Sequence, residues 1–524
     1  MSASTEKKNR QAARAAGTDK KTLAALEEAK KKAKSRLKWT LGTIGVVLLV
    51  ALILFLNSGF LYTHTTAVTI GGRAYSPAEL NYYYANQYYA FVNQYGSYAG
   101  IFGLDTSRGP AGAAGQPCSM LEEGATWKDY FLQSAYSQMA QDRALIDYAK
   151  ENGITLSDEE LAELDASFDA DFADMETYIK TLGFSSVNNY LAANYGNGVD
   201  GDVLRTAARD SALASKAYNQ YMDALSYTDE ELEAEYKGFE GARDYFAYAA
   251  YSVEATKVTV EPETEGEEAT EEVTEATLAA AKDTADAIKA AYKEAEGEDV
   301  LQRLTDAVNA VNPGQEATLR SRVAGSSLGD SKDWLMGSRK AGDVTVIEDS
   351  DGEGYTVVAF ISRDDNHYAT AQVRHILVKA EADADGNYTD EAKAAAKAKA
   401  EEILAQYKAG DKTEESFAAL AEEYSQDEGS NTNGGLYDAV GKGQMVEEFD
   451  AFCFEGHKKG DTAIVYGETS GYAGYHVMYY VGEGELYSNV LAENSLVSQA
   501  MRDWLTALTE GYTPDAGFWL RLVG

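Results

Sequence analysis

The chain has 524 residues, 45% of them hydrophobic and 25% charged; this composition excludes disorder throughout and, at roughly 100–200 residues per domain, predicts three to five domains. Lys and Arg number 46 against 85 Asp and Glu, a net charge of −39, which argues against a nucleic-acid binder because phosphate needs cations. Six prolines and 46 glycines exclude a collagenous or proline-rich protein, and two cysteines exclude a disulfide-dense scaffold or a four-cysteine zinc site.

Residues 1–38 hold twelve Lys/Arg and four Asp/Glu, leaving −47 on the remainder. Trp39–Leu56 follows as an 18-residue apolar run without a charge, about 27 Å long as a helix and enough to cross a bilayer core. A cleaved leader is the competing reading, but its apolar stretch is usually about 7–15 residues and ends at a small-x-small site. Here the run is longer and NSGFLYTHTTAV offers no clear cleavage site. The sequence therefore predicts a basic cytoplasmic segment (1–38) and one transmembrane helix (39–57), with the acidic bulk outside the cell membrane.

Residues 60–240 read as a helical domain. Capping boxes begin at Ser76 (SPAE), Ser157 (SDEE) and Thr228 (TDEE), each satisfying the orphan amides of a helix start. The helix after Ser76 is crowded with tyrosine, either for core packing or for contacts with clients, and 100–118 reads as a Gly/Pro/Ala loop. Residues 254–275 hold nine Glu and one Lys and read as a solvated acidic loop.

An internal repeat comes next. AGDVTVIEDSDGEGYTVVAFI (341–361) and KGDTAIVYGETSGYAGYHVMYYV (459–481) share a Gly-Asp turn, a strand, a glycine-containing hairpin and a second strand. Upstream of each lies a strand ending alike, YAAYSVEA (248–255) and VRHILVKA (373–380). The reading is two copies of one α+β module, 243–366 and 371–484. The tail 486–524 contains a helix, about Asn489–Thr509, whose apolar face (Val490, Val497, Met501, Trp504, Leu508) needs a groove on the helical domain. Cys118 and Cys453 then fall in different domains, which argues against a bridge.

Of five histidines, His375 and His476 occupy apolar strands in the second module. Two imidazoles on neighbouring strands can hydrogen-bond and fix each other's tautomer. The order VRHILVKA, FAALAEEYSQDEGSNTNGGL, KGQMVEEFDAFCF and GYHVMYYV resembles the parvulin peptidyl-prolyl isomerases over 371–484. The resemblance implies a four-stranded antiparallel sheet wrapped by helices. It places the active-site histidines on His375 and His476, the acidic position on Asp427, and the apolar proline pocket on Met445 and Phe449. No cofactor or metal is implied. Departures are visible: Gly434-Gly435-Leu436-Tyr437 stands where GDLG is common, and Ala439 falls where an aromatic pocket residue is usual, implying a shallower pocket. Cys453 reads as a small core residue. In the first module Ala250 falls opposite His375, and Thr356 near the place of His476, so that copy is expected to be degenerate and non-catalytic. EADADGNYTDEA (381–392) lacks the final ligand of a calcium loop and reads as a loop before a helix.

The whole layout resembles bacterial membrane-anchored extracytoplasmic foldases and chaperones. The expected function is isomerisation of X–Pro bonds in newly secreted, unfolded polypeptides, with no nucleic-acid partner. The alternative is a holdase in which the helical domain binds clients and the second module only binds proline-containing segments.

Overall fold

The computed structural model describes residues 3–16, 20–57, 59–260 and 270–524. They form two compact units: one runs to Leu225 and includes Ala500–Gly524, the other is Ser226–Gln499. The middle of the acidic loop, 261–269, lies outside the described residues; its flanks Val258–Val260 and Thr270–Glu272 pair as an antiparallel hairpin.

In the first unit Lys20–Asn57 is one 38-residue helix, and its stretch Lys30–Leu52 is long and apolar enough to cross a membrane. Val68–Ile70 and Arg73–Tyr75 then form a hairpin turning through Gly71 and Gly72, both at positive φ, as a tight two-residue turn demands. Asp515–Ala516 adds a third antiparallel strand.

The helix Pro77–Tyr95 opens on the predicted capping box. Ser76→Ala removes the acceptor for the Glu79 amide and is expected to cost about 1 kcal/mol, read as a lower denaturation midpoint of this unit in the full chain. The tyrosines of this helix turn inward. Tyr84 and Tyr88 are buried with Phe91, Trp127 and Phe131, and their hydroxyls donate to the carbonyls of Pro110 and Thr106. This differs from the irregular loop expected over 100–118: Gly96–Phe102, Thr106–Arg108 and Pro110–Gly115 wind into 3₁₀ segments. Buried phenols satisfy carbonyls that solvent would otherwise have to reach.

The helical domain ends earlier than expected. Asp229–Gly238 belongs to the second unit, because Leu232 and Tyr236 pack against Leu491, Ala492 and Leu496. The C-terminal helix, Tyr487–Thr509, divides in the same way. Its Trp504, Leu505 and Leu508 pack with Leu145, Ile146 and Ala214 of the first unit, Trp504 stacking on Tyr221 at 3.9 Å. Both cysteines are free and buried.

The second unit holds two four-stranded antiparallel sheets. The first is built from β1 (Tyr245–Glu254), β2 (Thr318–Ala324), β3 (Val344–Glu348) and β4 (Gly354–Asp364), in the order β2-β1-β4-β3. The second is built from β5 (Ala369–Lys379), β6 (Leu436–Val440), β7 (Thr462–Glu468) and β8 (Ala473–Leu486), in the order β6-β5-β8-β7. The two orders correspond strand for strand. In the second sheet one face, with Ile376, Val378, Val477 and Tyr479, packs under the helices α1 (Asp390–Ala409) and α2 (Glu414–Tyr424). The opposite face carries Val373, Met478 and Tyr480 against α3 (Glu447–Phe454). Side-chain alternation along β5 and β8 places His375 and His476 on this second face.

Candidate active site

His375 pairs with Met478 in register, and Leu377 with His476; the two histidines are therefore diagonal neighbours, within reach of long side chains. Their Nδ1 atoms lie 3.0 Å apart. His375 Nε2 lies 2.9 Å from Asp427 Oδ2, and Ser430 Oγ and Tyr437 Oη donate to the same oxygen at 2.5 and 3.0 Å. At the other end, Tyr472 Oη lies 3.0 Å from His476 Nε2. His375 and His476 are 2% and 5% exposed, and Phe449, 2% exposed, sets its ring edge-on against both at 5.4 and 5.3 Å.

These contacts form one directed chain. Hydrogen bonding from His375, aided by Ser430 and Tyr437 and opposed by burial, holds the Asp427 carboxyl well below the usual carboxylate range. The ionised carboxylate accepts from His375 Nε2. With the His375 proton placed on Nε2, facing the carboxylate, its Nδ1 is the acceptor for a proton on His476 Nδ1, and His476 Nε2 can accept from the Tyr472 hydroxyl. Burial, with the adjacent His375, pushes His476 down to about 3, so it is neutral at physiological pH. Burial and Asp427 push the Tyr437 phenol up to about 12, which keeps it a donor.

The sign of the pH dependence follows. His476 and Asp427 both bind protons more readily unfolded than folded, so the stability they contribute at neutral pH is lost on acidification. For His476 the loss begins below its ordinary 6.5 and runs toward about 3; for Asp427 it begins below 3.8. The melting temperature of this domain should fall between pH 7 and pH 4, and less steeply in His476→Leu. Equal slopes in the two proteins would refute this assignment.

The structure brings His375, His476, Asp427 and Phe449 into direct contact, and Met445 packs half-buried against the same apolar cluster. The two pocket residues are not equivalent, since Phe449 spends its ring on the imidazoles while Met445 reaches the surface. The aromatic missing at Ala439 is supplied elsewhere. Tyr437 pairs with Val373 and Val440 with Ala371, a one-residue bulge. The bulge makes Tyr437 and Val440 the site-facing positions of β6. The Tyr437 ring lies 5.2 Å from His375.

Sequence reasoning missed Ser430, Tyr437 and Tyr472 as partners. Ser430 and Tyr437 lie three and ten residues after Asp427, and Tyr472 four before His476; proximity to the motif residues was the available signal. Gly467 was missed too: a Cβ there would lie 2.8 Å from His476 Nε2 and 2.9 Å from Tyr472 Oη, so glycine keeps this corner open. Cys453 is buried and its thiol pushed up to about 12, leaving no thiolate at neutral pH.

In the first sheet the same register positions hold Ala250, opposite Val358, and Thr356, opposite Ser252. Thr356 donates to Asp349 at 2.8 Å.

A sheet carrying two hydrogen-bonded imidazoles on one face, a carboxylate behind them and an apolar helix above defines a parvulin-type domain. Residues 355–479 match the family described as the PPIC-type PPIASE domain, and the chain carries such a domain there. Over 100 residues the chain is 38% identical to foldase protein PrsA 1 of Listeria innocua, covering 19% of this chain and 27% of that protein. It is 37% identical over 100 residues to foldase protein PrsA 1 of Listeria monocytogenes, with the same coverage. The chain thus spans about a quarter of the length of these curated relatives. Among solved structures, PrsA from Bacillus cereus is similar at 28% identity and a TM-score of 0.18, covering 28% of this chain and 49% of that one. PrsA from Bacillus subtilis is similar at 15% identity and a TM-score of 0.28, covering 74% and 86%.

Proposed function

We propose that the chain is a foldase that catalyses cis/trans isomerisation of X–Pro bonds in unfolded or newly secreted polypeptides. The observation that carries this reading is the 3.0 Å contact between His375 and His476, with Asp427 behind it and Phe449 beneath it. Rotation about X–Pro is opposed by amide resonance, a barrier of about 18–20 kcal/mol. Catalysis requires an apolar seat for the proline ring and surroundings that favour the twisted amide over the planar one. Met445 offers the seat above the buried Phe449 ring. The directed chain gives the seat a fixed electrostatic field, because every member's proton is committed to a partner and none is free to stabilise the planar carbonyl.

In this reading the first sheet module is a non-catalytic copy, since neither Ala250 nor Thr356 can replace an imidazole. The apolar part of the helix Lys20–Asn57, residues 39–57, is a single-pass anchor in the cell membrane. The Lys/Arg excess before the apolar run puts the N-terminus in the cytoplasm and residues 60–524 outside. Protease added to the outer face should digest them and spare the N-terminal segment.

The deciding experiment uses the full chain in detergent with a cis-prolyl test peptide, followed by exchange NMR. Acceleration by the wild type and its loss in His375→Ala, with suppression of client aggregation unchanged in both, is the expected result. If the wild type shows no acceleration while still suppressing aggregation, the protein is a holdase.

A further inference from the structure

The seat residue Met445 hangs from a turn, Gly441–Gln444, that its own sheet holds only in part. Gly443 N donates to Asp450 Oδ1 at 2.5 Å and Gly441 N to Gln444 Oε1 at 2.7 Å. The remaining grip comes from outside the catalytic sheet. Lys442 N donates to the Tyr368 hydroxyl at 2.9 Å, on the segment joining the two sheets. Lys442 Nζ sits 4.0 Å over the Tyr368 ring and 3.8 Å from Asp364 of β4. Gln444 Nε2 donates to Tyr487 Oη at 3.1 Å, and the Tyr487 ring is so close to Gly441 that a Cβ there would lie 2.5 Å from it.

A further outside group is Arg322 of β2, in the first sheet. Its guanidinium stacks 4.0 Å over the Tyr245 ring. A Cβ on Gly443 would lie 2.4 Å from Arg322 Nε and 2.8 Å from its Cδ, so the arginine lies directly on the turn and Gly443 leaves room for it. Arg322 holds φ at +49°, a conformation uncommon for a non-glycine residue. Backbone strain of this kind persists where surrounding contacts over-determine it.

We propose that the first sheet module serves the second as a brace for its proline seat, with Arg322 as the positioning residue. Arg322 touches no reacting atom. It fixes the turn before Met445, so that affinity for the proline ring is set from the neighbouring module while the imidazole chain is untouched. This role rests on the isomerase reading for its consequence, but the brace itself is a statement about the turn.

The test uses the full chain and the variants Arg322→Ala and Arg322→Lys. Exchange NMR over a range of cis-prolyl peptide concentrations separates KM from kcat, and amide hydrogen exchange follows Lys442 and Gly443. Arg322→Ala is expected to raise KM roughly two- to fivefold, the size expected for an exposed cation–π stack. The kcat should stay unchanged, exchange at both amides should quicken, and Arg322→Lys should recover part of each effect. Wild-type KM and exchange in Arg322→Ala overturn the proposal, as does faster exchange with no change in KM. If the wild-type chain accelerates nothing, the isomerase reading fails by itself. The brace is then judged on exchange and on the Kd of the same peptide, and an unchanged Kd overturns it.

Discussion

Asp427→Asn is expected to lower kcat/KM for prolyl isomerisation by about 10- to 100-fold while leaving the fold and the suppression of aggregation intact. Three donors, His375 Nε2, Ser430 Oγ and Tyr437 Oη, converge on one oxygen of Asp427. The amide keeps the shape but loses the charge. Hydrogen bonds to a charged group are worth about 1.5–3 kcal/mol, and about 1.4 kcal/mol is tenfold in rate. The neutral acceptor also removes the reason for His375 to keep its proton on Nε2, so the direction of the whole chain through His476 to Tyr472 is released. Imidazole nitrogen shifts in ¹⁵N spectra should report a change of tautomer population beside the loss of rate. A variant with wild-type kcat/KM and wild-type shifts would show that the carboxylate does not orient the pair.

Gly435→Ala should be the most damaging single-methyl change in the second sheet. Gly435 is buried at φ +73°, and its Cβ would lie 2.2 Å from the backbone oxygen of His375 and 3.0 Å from Ala421 Cβ. Neither neighbour is a flexible side-chain end that can swing away. The left-handed backbone alone costs an alanine roughly 1–2 kcal/mol. Relieving the overlap must also push β6 off β5, stretching the 2.9 Å bond from His375 N to the Gly435 carbonyl. A total of about 3 kcal/mol or more is expected, read as a lower urea midpoint for the domain, with His375 displaced. Gly456→Ala is the control: it has φ +81° but nothing within 4 Å of a new Cβ, so it should show the conformational cost alone. Equal midpoints for the two variants would mean that the close approach to His375 is not what demands glycine.

Much of the second sheet was legible because local patterns carried it. VRHILVKA and GYHVMYYV read as apolar strands with histidine at one position each, and the resemblance supplied Asp427, Met445 and Phe449. The capping boxes at Ser76, Ser157 and Thr228 open helices where expected. The misreadings have a common cause. Ala439 falls at the pocket position only by counting along the chain, and a one-residue bulge in β6 breaks that count. The apolar face of the helix at Asp229 does not say which partner covers it; Leu491, Ala492 and Leu496 do, and they place it in the second unit.

The sequence by itself determined the charge asymmetry, the apolar run near the N-terminus, the duplicated strand–hairpin pattern and the residue types that make a prolyl site conceivable, because all of these live in spacing of a few residues. Tertiary structure alone decided that Nδ1 faces Nδ1 across a diagonal of β5 and β8, that Tyr437 and Tyr472 bracket the imidazoles, and that Arg322 rests on the turn before Met445. Apart from Tyr472, four residues before His476, these contacts join segments tens to more than a hundred residues apart, and no local periodicity encodes those.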